Sequence, residues 1–341
     1  MSKLTKKILV VGPAWVGDMV MAQTLFKLLK DQHPESQIDV LAPNWSRPLL
    51  ERMPEVNSAF SLPIAHKELG LKKRYQIAKT LREQKYDKAF VLPNSFKSAL
   101  VPFWAGIPER VGFIGEWRFI LLNRFRKLDK QRWPLMIERF MALAIPHQQE
   151  LPKELPKPAL QVSDASVLAA VDKFELNPFA RPLLILCPGA EFGEAKRWPE
   201  GYYAEVAKQK IQEGWQVWIM GSAKDVPVGE VIKNLNPEYC VNLAGKTSLA
   251  EAIDLISLSA MVVSNDSGLM HIAAALEPPL VVIYGSSSAK FTPPLAKQVK
   301  MLSLNLSCSP CFKRTCPLKH LNCLNNLTPE LVLSAVQELS N

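Results

Sequence analysis

Apolar positions along the chain alternate between two spacings. Ile8–Gly12 is a short apolar run, and Gln37–Ala42 and Asp87–Leu92 read as two further short strands. Runs of this length, closed by turn-forming residues, predict strands buried on both faces. Between them Met19, Ala22, Leu25, Phe26, Leu28 and Leu29 fall at helical spacing, and Lys72–Gln84 predicts a helix with a strongly basic face. The alternation returns beyond residue 180. Leu183–Cys187, Trp215–Met220, Met261–Ser264 and Leu280–Tyr284 read as strands. Gly201–Gly214, Leu249–Leu258, Gly268–Leu276 and Pro329–Leu339 read as helices. Such alternation predicts parallel sheets with helices on both faces. No fixed-period repeat is visible.

The segment from Leu151 to Pro158 holds Pro152, Pro156 and Pro158, which exclude both a helix and a central strand. The expected organisation is a domain at 1–155, a Pro-rich linker at 156–180, a second domain at 181–327 and a closing C-terminal helix at 328–341. The fold class is α/β, with two Rossmann-like doubly wound domains facing a cleft. In such sheets ligands bind beyond the carboxyl ends of the strands, so every loop that follows a strand is a candidate for chemistry.

Composition narrows the class of partner. The 341 residues are 48% hydrophobic, enough for two cores. Lys6 and Lys7 ahead of Ile8–Val11 resemble a signal peptide, but Gly12-Pro13 and Asp18 interrupt it. The expected location is therefore the cytoplasm. The net charge of +9 sits in the first half: residues 1–155 hold 25 Lys+Arg against 15 Asp+Glu, and residues 156–341 hold 16 against 17. A basic half implies nucleic acid, a phosphorylated substrate or an anionic membrane, or else only a solvated basic surface.

Three motifs are missing: G-x-G-x-x-G after a strand, G-x-x-x-x-G-K-[ST], and any Asp-x-Asp pair. Three loops remain as candidates. Gly12 to Asp18 follows the first strand and enters a helix, where Asp18 is either an N-cap or a catalytic carboxylate; the residues alone leave both open. Pro188 to Pro199 combines small residues with Lys196 and Arg197 ahead of a helix, which suits a phosphate. Ser264 to His271 crowds polar residues at another helix start, with Asp266 or Ser267 as the cap if the loop carries no chemistry. His271 by itself reads as a packed histidine.

Cys187 and Cys240 read as lone core residues. Cys308, Cys311, Cys316 and Cys323 fall close together, with His320 nearby. Four thiolates could hold a structural zinc or an iron–sulfur cluster, although the spacing matches no standard zinc pattern; the alternative is a reduced loop.

The blocks Gly12–Met19, Leu92–Ala99, Cys187–Pro199, Asn265–Ala275, Tyr284–Ser287 and Phe291–Pro294 resemble the signature blocks of glycosyltransferase family 9, the heptosyltransferases. The resemblance implies a GT-B fold whose first domain holds the acceptor and whose second holds the nucleotide sugar. It implies transfer of L-glycero-D-manno-heptose from ADP-heptose to the first heptose of the lipopolysaccharide inner core, with inversion, no cofactor and no catalytic metal. Carried over by position, Asp18 is the general base and Lys196 contacts the donor phosphates. Gly189, Ala190, Asp266, Ser267, Gly268 and His271 line the donor pocket. Asp225 grips the ribose and Thr247 lines the adenine. Gly17, Asn94, Ser95 and Lys97 belong to the acceptor side.

The rival readings are a family member adding a different heptose, a sugar-nucleotide 2-epimerase of the same fold, and a binding protein without catalysis. No nucleic acid is implied. A lipid-anchored acceptor places the enzyme at the cytoplasmic face of the inner membrane. Two surfaces would meet that membrane: Lys72, Lys73 and Arg74 with Lys79 and Arg82, and the stretch Trp117–Trp133. In the second, Arg118, Arg124, Arg126, Lys127, Lys130 and Arg132 alternate with Trp117, Phe119, Ile120, Leu121, Leu122 and Phe125.

Overall fold

The computed structural model describes residues 6–64, 68–146 and 148–340. The chain divides after Pro158 into two compact units, Met1–Pro158 and Ala159–Asn341. Part of the expected linker is not a linker. Asp164–Lys173 forms a helix of the second unit, capped by the Ser163 hydroxyl on the amide of Ser166. The C-terminal helix, Pro329–Ser340, is likewise no appendage, because Val332, Ala335 and Val336 are buried in that unit's core.

Each unit contains a six-stranded, wholly parallel sheet. The first comprises β1 (Lys7–Val11), β2 (Gln37–Ala42), β3 (Val56–Ser61), β4 (Lys88–Val91), β5 (Glu109–Phe113) and β6 (Arg124–Arg126), in the order β3-β2-β1-β4-β5-β6. The second comprises β7 (Leu183–Cys187), β8 (Gln216–Ile219), β9 (Cys240–Asn242), β10 (Met261–Asn265), β11 (Leu280–Ile283) and β12 (Val299–Leu302), in the order β12-β11-β10-β7-β8-β9. Numbered within its own unit, the second sheet has the same order as the first. Both are the doubly wound α/β arrangement expected from the alternating pattern.

The strands found in the sequence are central ones, and Leu183–Cys187 is buried at all five positions. β3, β6, β9 and β12 lie at sheet edges, where part of the strand meets solvent and no long apolar run is needed. These four, with β5, carry no clear signal in the sequence.

The order reverses between β1 and β4 in one unit and between β7 and β10 in the other. Here the connections leave in opposite directions and open a crevice at the carboxyl end of the sheet. Register brings the relevant loops out side by side. Val11 pairs with Val91, so the loop at Gly12 and the loop at Leu92 emerge together. Ser264 pairs with Cys187, which does the same for Pro188 and Asn265.

Candidate active site

At the crevice of the first unit lies a cavity of about 440 Å³ lined by Gly12, Trp15, Asp18, Asn94, Ser95 and Lys97, together with Arg74 and Arg139. Asp18 belongs to the first turn of the helix Val16–Gln32. The N-cap of that helix is Trp15, whose side chain makes no capping bond. Asp18 is therefore at the third helical position, and the N-cap reading is corrected. An acidic side chain in a first turn gains from the helix dipole, but its oxygens are not required by the cap. Gly17 precedes Asp18 in this turn and does not line the cavity.

Three cations share the cavity with Asp18, each resting on a backbone carbonyl. Arg74 Nε donates to Leu69 O at 2.8 Å, Lys97 Nζ to Glu68 O at 3.1 Å and Arg139 Nε to Trp133 O at 2.9 Å. Burial lowers the Arg74 and Arg139 guanidinium pKa values from their ordinary range, with Glu68 and Glu138 opposing the shift. Both groups remain cationic at neutral pH. A bound carboxylate or phosphate would offset the cost of burying them.

Beneath the loop after β4 lies a residue that the sequence places at the surface. Arg118 is 0% exposed. Its Nη2 donates to Asn94 Oδ1 at 3.0 Å, its Nη1 to Ser98 Oγ at 3.0 Å and to Pro93 O, and its Nε to Phe113 O at 2.9 Å. The guanidinium thus fixes the loop that carries Asn94 and Ser95. Arg118, Leu121 and Leu122 are core and leave the proposed surface, as does Arg74, at 4% exposure. Charged type argued for the surface; four carbonyl and side-chain acceptors make the interior affordable.

The second unit has its own cluster at β7 and β10. Lys196 Nζ lies 2.5 Å from Asp266 Oδ2, with side chains 17% and 5% exposed. Arg197, the alternative cation, turns back onto Ala190 O at 3.4 Å. The cap of the helix Gly268–Leu276 is Ser267, whose hydroxyl accepts from the Met270 amide. Asp266 is therefore the partner of Lys196 and not a cap. Asn265, fully buried, donates to Pro188 O at 2.6 Å and accepts from the Trp198 amide at 3.1 Å. It clamps both ends of the Lys196 loop. Its only signal in the sequence is that of a polar residue closing a buried strand, which does not mark it as a site residue.

Gly189 is forced by close approach: a Cβ there would come within 2.4 Å of Asp225 Oδ2. Asp225 in turn accepts from the amide and hydroxyl of Ser222 at 2.9 and 2.8 Å, and so holds the turn after β8 beside the Lys196 loop. Thr247 is half-buried in the loop after β9, whose Gly245 amide donates to Gly221 O at 3.0 Å. Ala190 and Gly268 complete the set, and all these loops lie at the carboxyl edge of one sheet.

These features agree with the similarity of the chain to known proteins. The model of glycosyltransferase family 9 (heptosyltransferase) matches residues 74–322. The chain belongs to this family. It is thus an enzyme, a glycosyltransferase. It is 49% identical to lipopolysaccharide heptosyltransferase 2 of Escherichia coli over 342 residues, covering 98% of each chain. It is 50% identical to lipooligosaccharide heptosyltransferase 2 of Haemophilus influenzae, covering 87% of this chain and 88% of the relative. The solved structure of the E. coli ADP-heptose lps heptosyltransferase II matches at a TM-score of 0.88 and 48% identity, over 98% of both chains. GT-B enzymes of this family supply the fold seen here.

His271 lies in the same helix as the Ser267 cap and is 5% exposed. Burial pushes its imidazole down to about 4, with Asp266 pulling it up and Lys196 down. In this family 9 enzyme His271 is therefore neutral at pH 7 and supplies no charge to the cluster. The unfolded chain binds a proton near pH 6.5 that the folded one refuses, so stability is lost as pH falls from about 6.5 toward 4. Across that window the native chain should lose up to about 3 kcal/mol more than His271→Gln. Urea titrations at both ends of the window measure this, and parallel losses in the two proteins would contradict it.

The four clustered cysteines are free thiols, and among the described residues no group of three or more His, Cys, Asp or Glu is arranged to hold a metal ion. The structural-metal expectation finds no support. The loop carrying them instead backs the Lys196 loop and the loop after β11: Ala195 N donates to Arg314 O at 3.1 Å, and Phe312 N to Ser286 O at 2.7 Å. The amide of Leu321 lowers the Cys316 thiol pKa, reinforced by those of Leu318, His320 and Lys319 against the effect of burial. Burial pushes Cys187 and Cys240 up to about 12. Iodoacetamide at neutral pH should therefore label Cys316 first and leave Cys187 and Cys240 unmodified until the chain unfolds. Peptide mapping over time tests this, and equal labelling of Cys316 and Cys187 in the folded protein would refute it.

Proposed function

We propose that the chain transfers L-glycero-D-manno-heptose from ADP-heptose to the first heptose of the lipopolysaccharide inner core, with inversion and without a metal. The observation that carries this reading is that each sheet has a cluster of charged side chains at its switch point. One has a carboxylate, Asp18, among three cations in a cavity; the other has a lysine, Lys196, beside the start of a helix. The names of the heptosyltransferase 2 relatives support the donor and acceptor classes. An epimerase working on a sugar nucleotide alone needs no cation-lined cavity for a second substrate.

The reaction divides between the two sites. The acceptor hydroxyl oxygen forms a bond to the anomeric carbon as its proton passes to Asp18. The bond from that carbon to the β-phosphate oxygen breaks, and its electron pair leaves on ADP. Lys196 and the first amides of Gly268–Leu276 stabilise the charge that grows there. Asp266 holds the lysine amine in place, in a pair that is largely buried. Attack from the face opposite the leaving group inverts the configuration, as in inverting glycoside hydrolysis with water as nucleophile. Arg74, Lys97 and Arg139 bind the anionic groups of the acceptor.

The test is the anomeric configuration of the product, read by NMR, from reactions with and without EDTA. An inverted linkage formed at equal rates in both supports the proposal. Retention, or loss of activity that added divalent metal restores, overturns it.

A further inference from the structure

Among the exposed large apolar side chains of the first unit, Trp117 and Ile120 stand out at 81% and 70% exposure. They belong to one short excursion between β5 and β6, and Ile114, Phe119 and Phe125 of the same stretch are 44–47% exposed. The Trp117 and Phe119 rings lie in contact, with centroids 6.0 Å apart. Exposing this much apolar surface in one place is unfavourable in water, and such patches mark contact sites.

The backbone adds a second observation. Glu116 and Trp117 both adopt left-handed conformations, with φ of 43° and 58°. A bulky residue there is strained, and the strain persists only because the surroundings hold it. The Glu116 carboxylate accepts from the Phe96 amide at 2.7 Å, and Arg118, the next residue after Trp117, is the buried guanidinium beneath Asn94. The turn that presents Trp117 to solvent is thus bolted to the loop that lines the acceptor cavity.

The charge around the patch indicates its occupant. Arg124, Lys127 and Lys130 follow within the same stretch and are exposed. The acids there are engaged: Glu116 holds Phe96, and Asp129 accepts from the Gln131 and Arg132 amides at 2.9 and 3.0 Å. Aromatic and aliphatic side chains beside exposed cations complement an anionic bilayer, where the rings enter the headgroup region and the cations meet phosphates. Among the described residues no helix is long and apolar enough to cross a membrane, so such contact would be made from one side.

We propose that the turn carrying Trp117 and Ile120 is a membrane-docking element that seats the first unit on an anionic lipid surface with the acceptor cavity beside it. Lipid binding stands independently of the transfer reaction; its benefit to catalysis rests on the lipid-anchored acceptor proposed above.

The experiment uses the full chain, vesicles of phosphatidylethanolamine with phosphatidylglycerol, and vesicles of phosphatidylcholine alone. The variant is Trp117→Gly with Ile120→Ser. Gly relieves the left-handed strain, so the melting temperature should hold or rise. Co-sedimentation with the anionic vesicles should fall at least about tenfold in the variant. Binding by the native chain should weaken with salt and be slight on phosphatidylcholine. Turnover of a lipid-free core oligosaccharide should be unchanged, whereas turnover of vesicle-borne acceptor should drop. Equal vesicle binding by both proteins would overturn the proposal. So would a native dimer that the variant converts to monomer, since the patch would then belong to a second copy of the chain.

Discussion

Asp18→Asn should fold like the native chain and lose about 10²–10⁴-fold in turnover. The substitution keeps shape and volume and removes the negative charge and, with it, the ability to accept a proton. The helix does not depend on it, because Trp15 and not Asp18 occupies the cap position. What the helix loses is one acidic group near the positive end of its dipole, worth about 0.3–1 kcal/mol. Stability and activity should therefore separate widely. The measurements are thermal unfolding and initial rates at saturating ADP-heptose and acceptor. A variant with near-native turnover would reduce Asp18 to a favourable charge in a first turn.

Lys196→Ala should slow the chemical step by about 10²–10³-fold and weaken binding of ADP. Here stability and function are entangled, because the change leaves Asp266 buried and unpaired, at a cost of about 3–5 kcal/mol. The double variant Lys196→Ala with Asp266→Ala disentangles them. It removes the stranded carboxylate and should recover most of the lost stability, yet it should stay inactive because no cation faces the leaving group. Activity that returns with stability would make the pair structural and place the donor phosphates elsewhere. Asp266→Ala alone should be harmful through the unpaired lysine, since the helix keeps its Ser267 cap.

Much of this architecture is legible in the amino-acid sequence, for a physical reason. A central strand of a parallel sheet is covered on both faces and is largely apolar, so Leu183–Cys187 and the Met261–Val263 run of the strand Met261–Asn265 announce themselves. Edge strands such as Arg124–Arg126 satisfy no such demand. The site loops are visible because small and polar residues directly after a buried strand have few structural reasons to be there. Function is harder to read where residue type misleads. Arg118 has the composition of a surface residue, and only its acceptors on Pro93, Asn94, Ser98 and Phe113 make it an internal brace. Likewise, Asp18 and Asp266 each sit at a helix start where capping is the ordinary role of an aspartate. The neighbours Trp15 and Ser267 settle the caps, and no spacing rule identifies them in advance. Arg139 gives no sign in the sequence that it faces the cavity rather than solvent.

The proposed transfer needs both a donor-activating site and an acceptor site with its own base. Release of ADP from ADP-heptose, measured with and without a heptose-bearing core acceptor, tests it most directly. The expected result is rapid ADP release that requires the acceptor and is matched mole for mole by glycosylated product. Release at the same rate without acceptor, or no release with it, would contradict the claim.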